Sequence, residues 1–400
     1  MPTFVIAGAS LAGAKAAETL RDEGFDGEIV LLGAESELPY ERPPLSKGYL
    51  LGNDERDSFT VHPLDWYDEH DDDLRLAVTV TGIDRASSAV VTSDGSIVSY
   101  DKLLLTTGAS PRRLSFPGSD RDEVLYLRTV ADSERLREAF QQGPRVVVAG
   151  AGWIGLETTA AARSYGCPVT VLEPQPGALH DQLGPEVGSV FADLHRSHGV
   201  AFRFGEVAEE FRPGLVITSA GAEVPADLFV VGIGAAPNDQ LAAAAGLEVS
   251  NGVLTDEALR STDPDIFAAG DVANSFNPLL DRRVRVEHWA NALNGGPVAA
   301  RSMLGQPVVY DAVPYFYSDQ YDLGMECAGL PTPGSYDEVA FRGDRAGGEF
   351  IAFWLKDDKV VAGMNVNVWD VNDDIQSLIR SARPVDLSRL TNPDIPVPEI

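Results

Sequence analysis

The chain has 400 residues, 44% of them hydrophobic, which is enough for two or three domains with a sizeable core. Lys and Arg number 31 against 61 Asp and Glu, and the resulting net charge of −30 disfavours nucleic acid and anionic membrane surfaces as partners. The two cysteines, Cys167 and Cys327, lie 160 positions apart, which excludes a disulfide framework, a cysteine zinc site and a local dithiol pair.

From the N-terminus, MPTFVIAGAS has no basic n-region and its apolar run breaks at glycine, so it reads as a strand, Thr3–Ala7, and not as a signal peptide. The turn Gly8-Ala9-Ser10-Leu11-Ala12-Gly13 follows, then an alanine-rich helix over 14–21 and a second apolar strand, Glu28–Leu32. That strand ends near Glu35, 22 positions after Gly13. Strand, glycine turn, helix, strand, acid is the βαβ pattern that binds a dinucleotide. A strand over Lys102–Leu105 then stops at Thr106-Thr107-Gly108-Ala109.

The pattern returns 142 positions after Gly8, with a strand over 145–149, the turn Gly150-Ala151-Gly152-Trp153-Ile154-Gly155, a helix over 156–164, and a strand over 168–172 ending in Glu173. Here all three glycines are present. They serve the tight turn, the close approach of N–H groups to a pyrophosphate, and helix–strand packing. Two fingerprints in context mean two dinucleotides. A matching small-residue turn, Gly232-Ile233-Gly234-Ala235-Ala236-Pro237, follows the strand Leu228–Val231, and a strand closing on Gly270-Asp271 comes next. Beyond about Gly305 the sequence turns strand-rich and aromatic, with Tyr315, Phe316, Tyr317 and Tyr321, runs over 350–354 and 360–368, and a helix over Asn372–Ser381. This is expected to be a third, α+β domain. The six histidines show no metal-like spacing. His195 and His198 are read as surface or packing residues, and no metal is expected. No apolar stretch approaches the roughly 18–20 residues of a membrane span. A soluble cytoplasmic protein is the expectation.

These motifs, together with Pro39-Tyr40-Glu41-Arg42-Pro43-Pro44-Leu45-Ser46-Lys47, the AAGDVA run at 268–273, Glu287-His288-Trp289 and Ser318-Asp319-Gln320-Tyr321, carry a resemblance. The chain resembles the glutathione-reductase-type flavoproteins. Within them it is similar to the oxygenase-coupled NADH:ferredoxin reductases of the putidaredoxin- and rhodocoxin-reductase type. The fold this implies is α/β, with two Rossmann-like dinucleotide-binding domains, the second inserted in the first, and a C-terminal α+β interface domain. The expected boundaries are 1–108 with 232–305 for FAD, 109–231 for NAD, and 306–400 for the interface domain.

The resemblance also implies site residues. Gly8, Ser10, Leu11, Ala12, Gly13 and Glu35 would hold the ADP half of FAD. Arg42 and Lys47 would lie along the flavin, Thr107, Gly108 and Ala109 would touch FAD, and Asp271 would accept from the ribityl hydroxyls. Glu287, His288 and Trp289 would open a helix aimed at the pyrimidine end of the ring, and Tyr317 would lie at its exposed edge, where the family often has tryptophan. Gly150, Gly152, Ile154, Gly155, Glu173, Ile233 and Gly234 would receive NADH, with Glu157 near its carboxamide. Lys47 and Glu157 are the pair expected at the reactive centre.

The implied activity is NADH:ferredoxin oxidoreduction of class 1.18.1. A hydride passes from NADH to flavin, and single electrons then pass to a [2Fe-2S] or similar ferredoxin serving a P450 or Rieske oxygenase. The dithiol and single-cysteine enzymes of the superfold would need a redox cysteine where this chain has Leu45-Ser46-Lys47. The alternative is a flavoprotein like apoptosis-inducing factor, which binds NADH and acts mainly as a redox-dependent interaction protein. A monomer or weak homodimer is expected. The arginines at 282, 283 and 285, the densest basic run, are candidates for a basic ferredoxin dock, with Arg342 and Arg345 as further candidates; the alternative is that these arginines offset neighbouring acids such as Asp281 and Glu287.

Overall fold

The computed structural model describes residues 1–400, which divide into two compact units. The first comprises 1–41, 56–110 and 235–314, and the second 42–55, 111–234 and 315–400. No helix is long and apolar enough to cross a membrane.

The first unit is built on a five-stranded parallel sheet in the order Ile266–Ala268, Lys102–Leu105, Thr3–Ala7, Glu28–Leu32, Asp72–Arg75. Thr3–Ala7 is central and buried on both faces, as a continuous apolar strand in a parallel sheet must be. Helices Leu11–Asp22 and Trp289–Met303 cover one face. They approach closely because the contact is made of small residues: a Cβ on Gly296 would stand 2.3 Å from the Ala12 carbonyl oxygen. A three-stranded sheet of Val80–Asp84, Ala89–Thr92 and Ile97–Ser99 lies on the other side, where Val90 joins Val5, Ala7 and Val30 in one core.

The second unit repeats the plan, with strands in the order Ala201–Phe204, Val169–Glu173, Val146–Ala149, Leu228–Val231, Val124–Tyr126. It also contains an antiparallel sheet in the order Tyr315–Gln320, Leu323–Gly329, Lys359–Val366, Glu349–Lys356, Glu338–Asp344, crossed by helix Asn372–Ser381. The expected α/β architecture with its C-terminal α+β portion is present. The expected boundaries at 108, 231 and 305 mark three domains, whereas the chain divides into two units, with 111–234 and 315–400 together in the second. Residues 42–55, expected with the FAD-binding part, fold with the second unit instead. The physical reason is local packing. The turn Pro43–Ser46 and helix Gly48–Leu51 rest on helices Val130–Phe140 and Trp153–Ser164, with Tyr49 donating to Glu134 at 2.7 Å and Tyr165 to the Leu50 carbonyl at 2.9 Å.

Candidate functional site

In the first unit, strand Thr3–Ala7 ends at Gly8, whose φ of +128° and whose phantom Cβ, 2.1 Å from the Thr106 carbonyl oxygen, admit only glycine. A Cβ on Gly13 would stand 2.2 Å from the Gly8 carbonyl oxygen, so this glycine serves the packing of helix on strand. Ser10 caps helix Leu11–Asp22 in extended conformation but makes no side-chain cap bond, and the first turn, with Leu11 and Ala12 buried, carries no acid. The helix N–H groups are left to another acceptor. Glu35 lies beyond the next strand, half-buried, accepting from the Tyr40 hydroxyl at 2.6 Å. Thr107 and Asn238 exchange hydrogen bonds of 2.8 and 2.7 Å, which fixes the turn that holds Gly108 at φ +68° and the buried Ala109. Asp271 sits in the short turn Gly270–Val272 that follows strand Ile266–Ala268. Helix Trp289–Met303 begins at His288, again with no side-chain cap and no acid in its first turn. Its Trp289 indole N–H donates to Glu41 at 3.0 Å. Burial lowers the His288 pKa to about 4, so the ring is neutral at pH 7. Glu287 pairs with Arg285 at 2.6 Å.

In the second unit the same construction recurs. Gly150 has φ +98° and a phantom Cβ 2.3 Å from the Gly232 carbonyl oxygen, and that of Gly155 would lie 2.0 Å from the Gly150 carbonyl oxygen. A Cβ at Gly152, by contrast, would meet nothing within 4 Å. The middle glycine faces open space at the start of helix Trp153–Ser164, which has neither side-chain cap nor first-turn acid. The other long helices are compensated at this end: Thr129 and Asp132 close helix Val130–Phe140 with a full capping box, and helices His180–Ser197 and Asn372–Ser381 carry acids in their first turns. Ile154 and Ile233 are among the few large apolar side chains left exposed, and Gly234 has φ +90° with open space around it. Glu173 accepts from the Ala151 N–H at 2.6 Å and the Gln175 N–H at 2.9 Å. These features fit a dinucleotide pyrophosphate at the N-terminus of each of the helices Leu11–Asp22 and Trp153–Ser164.

Lys47 and Glu157 meet in the second unit, Nζ to Oε1 at 2.7 Å, with the carboxylate side chain only 4% exposed. Ser318 donates to the same oxygen at 2.7 Å and Ser46 to the other. A carboxylate with three donors is stable in a buried position where an unpaired one would not be. The Lys47 ammonium also lies 5.4 Å above the Tyr317 ring. Asp319, on the same strand, has its pKa raised by burial against the opposing pull of Lys47. Arg42 donates to the Arg128 carbonyl at 2.5 Å. Arg42, Lys47 and Tyr317, expected along the flavin, all belong to this second unit, and the other expected FAD residues to the first.

Ser46, Ser318 and His195 went unrecognised as partners of this cluster. Ser318 and Gln320 alternate with Tyr317 and Asp319 along the strand Tyr315–Gln320, so the period of two was the available signal. His195 is fully buried, and the signal was its place four residues beyond Phe191 on the stripe Val187, Phe191 of the helical segment that follows the kink at Gly184. Arg342 is no dock residue. It is buried, and its guanidinium donates to the carbonyls of Leu390, Pro393 and Ile395. Arg283 is held by the carbonyls of Thr255 and Asn274 and Arg285 by Glu287, so of that run Arg282 is the one left fully to solvent.

The model of the pyridine nucleotide-disulphide oxidoreductase family matches residues 2–296, and that of the reductase C-terminal family matches 315–400. The chain belongs to the pyridine nucleotide-disulphide oxidoreductases. Both of its cysteines are free and buried. It is 41% identical to the ferredoxin–NAD(+) reductase component of the anthranilate 1,2-dioxygenase system of Burkholderia cepacia, over 98% of this chain and 97% of that one. It is 36% identical to putidaredoxin reductase of Pseudomonas putida, over 99% and 96%. Among solved structures, that of the covalent putidaredoxin reductase–putidaredoxin complex matches with a TM-score of 0.95 at 35% identity, covering 99% of this chain and 97% of that chain.

Proposed function

We propose that the chain is an FAD-dependent NADH:ferredoxin oxidoreductase that supplies single electrons to a [2Fe-2S] or similar ferredoxin of a P450 or Rieske oxygenase system. The observation that carries this reading is the pair of glycine cradles with uncapped helix N-termini, in a chain with no reactive cysteine and with reductase-component relatives over its full length. FAD, when bound, accepts a hydride from NADH and yields electrons singly to an iron–sulfur centre.

The chain's own residues supply binding and orientation. The 1–108 and 232–305 segments are assigned to FAD, with Gly8, Ser10 and Gly13 at its pyrophosphate, Glu35 at the adenosine ribose and Asp271 at the ribityl chain. Helix Trp289–Met303 presents about half a positive charge at its N-terminus, which favours negative charge on the pyrimidine end of the ring. The second cradle is assigned to NADH. Ile154 and Ile233 give its dinucleotide an apolar surface, and Glu173 accepts from ribose hydroxyls. Glu157, fixed by Lys47, meets the carboxamide of the nicotinamide. Arg42, Lys47 and Tyr317 are assigned to the flavin.

The test is direct. Purified protein should be yellow, release about one FAD per chain and no FMN, since the first βαβ unit is built for the ADP half. NADH should bleach it and a ferredoxin restore the colour. Extraction of FMN, or failure of every ferredoxin in a panel to reoxidise the reduced protein, would reject the reading.

A further inference from the structure

Behind Glu157 runs a buried line of polar side chains that the proposed function does not use. Ser318 Oγ lies 2.7 Å from Glu157 Oε1, Gln320 Nε2 lies 3.1 Å from Ser318 Oγ, and Gln320 Oε1 lies 2.8 Å from His195 Nε2. His195 Nδ1 then lies 3.2 Å from the Tyr321 hydroxyl. Ser318, Gln320 and His195 are each no more than 1% exposed. Tyr321 is partly exposed and stacks on His198 with ring centroids 3.6 Å apart.

The direction of every bond follows from the first. Glu157 is paired with the Lys47 ammonium and can only accept, so Ser318 must donate its one proton to it. Ser318 then accepts, which requires the amide N–H of Gln320. That orientation turns the Gln320 carbonyl oxygen towards His195, which must donate from Nε2. Nδ1 is left as an acceptor for the Tyr321 hydroxyl. All four donors point towards Glu157, and hydrogen bonds aligned in series polarise one another.

We propose that Gln320, His195 and Tyr321 are positioning residues, a one-way hydrogen-bond line that fixes the orientation of the Glu157 carboxylate for the nicotinamide ring. The alternative, a structural role only, has a different signature. A line that merely stabilises the fold acts on both halves of NADH alike, whereas one that aims Glu157 acts on the nicotinamide half alone. This inference rests on the placement of Glu157 at the carboxamide.

The experiment uses the FAD-loaded protein and two variants. Gln320→Met keeps the volume and removes both bonds of the amide, and Tyr321→Phe removes only the hydroxyl. Calorimetry measures affinity for NAD+ and for ADP-ribose, which lacks the nicotinamide, and stopped flow measures reduction by NADH. Gln320→Met should weaken NAD+ binding and slow reduction by about tenfold, as expected when a positioned group is released, with ADP-ribose binding unchanged. Tyr321→Phe should move the same two quantities about twofold. Unchanged NAD+ binding and reduction in Gln320→Met, or parallel loss of both ligands, overturns the proposal. Glu157→Gln separates the two readings. If it slows reduction while Gln320→Met does not, the line alone fails; if neither has an effect, the placement of Glu157 fails and the line with it. Should Gln320→Met not fold, Tyr321→Phe and the wild-type ring decide. Nitrogen-15 histidine spectra at pH 7 must show neutral His195 with its proton on Nε2, and a proton on Nδ1 overturns the inference.

Discussion

Glu173 accepts a 2.6 Å hydrogen bond from the Ala151 N–H, so the acid closing the second βαβ unit also holds that unit's glycine turn. With Glu173 at the ribose, as proposed, one carboxylate would link the cofactor's ribose end to the shape of its pyrophosphate cradle. NADH should be preferred over NADPH by at least about tenfold in kcat/KM, because a 2′-phosphate brings like charge against Glu173 and repulsion at partly exposed separations is worth roughly a few kcal/mol. Pro174-Gln175-Pro176 offers no arginine in compensation. Glu173→Ala should narrow the preference and also raise KM for NADH as the turn loosens. Equal use of both nucleotides by the wild type would refute this.

A buried ion pair makes the second prediction. Removing one partner leaves the other charge unpaired, at a cost of about 3–5 kcal/mol when the site is dry. Lys47→Met and Glu157→Gln should each lower the urea midpoint, the first more than the second, because the carboxylate it strands is only 4% exposed whereas the ammonium stranded by Glu157→Gln is 15% exposed. The double variant should be more stable than Lys47→Met alone. Strict additivity in the cycle would show that the 2.7 Å contact carries no coupling.

No thiol should take part in turnover. Cys167 donates to the Phe140 carbonyl at 3.3 Å, and burial raises the pKa of both thiols. Serine suits position 167, but at 327 it would bury a hydroxyl at a cost of roughly 1–3 kcal/mol, so alanine is the substitution there. Cys167→Ser with Cys327→Ala should keep NADH oxidation by ferricyanide. Loss of most activity with FAD still bound would contradict this.

The turns and central strands were legible in the sequence because they have one cheap solution. Gly8 and Gly150 need a left-handed backbone with a carbonyl where a Cβ would be, and only glycine provides it. Thr3–Ala7 and the run ending at Ala149 have no polar face, so they must be central. The surroundings of Glu157 were not legible. Ser46 is 111 positions away from it and Ser318 is 161, and alternation along a strand tells which face a residue takes but not what it meets. Residues 42–55 follow the same rule, since their neighbours in space are helices some 85 to 115 positions on. Arg342 was misread because charge alone suggests surface, whereas a guanidinium with several donors can tie down a chain of carbonyls from within.

Acid should weaken the fold in a defined window. Burial lowers the His195 pKa from 6.5 to about 4, and that of His288 likewise. Between these values the unfolded chain binds protons that the folded chain does not. Stability is therefore intact above pH 6.5 and declines as pH falls towards 4, by up to about 1.4 kcal/mol per unit for each ring. Urea midpoints measured from pH 7 to 4.5 should fall, and His195→Asn should flatten the slope.

The ferredoxin encounter pits a chain of net charge −30 against a partner that is itself commonly acidic. Arg282, exposed and unshared, is the remaining candidate of its run. If it guides docking, Arg282→Glu should raise KM for the ferredoxin and leave reduction of ferricyanide alone. Raising ionic strength from 0.01 to 0.1 M shortens the screening length from roughly 30 to 10 Å and should then slow the wild type. Faster reduction with salt would mean that overall repulsion governs the encounter.

Of the long helices of this chain, the three beginning at Leu11, Trp153 and Trp289 start with neither a side-chain cap nor a first-turn acid, while the one at Val130 is fully closed. A missing cap is a deficit of about 1 kcal/mol that a nucleotide docked there, as proposed, would remove. The folded population is thereby tied to the supply of two small molecules, and chain made when flavin is scarce should be the first consumed by proteases, since ligand binding to the native state raises stability as RT ln(1 + [L]/Kd). The amount of reductase a cell retains should then depend on its riboflavin economy as well as on its rate of synthesis.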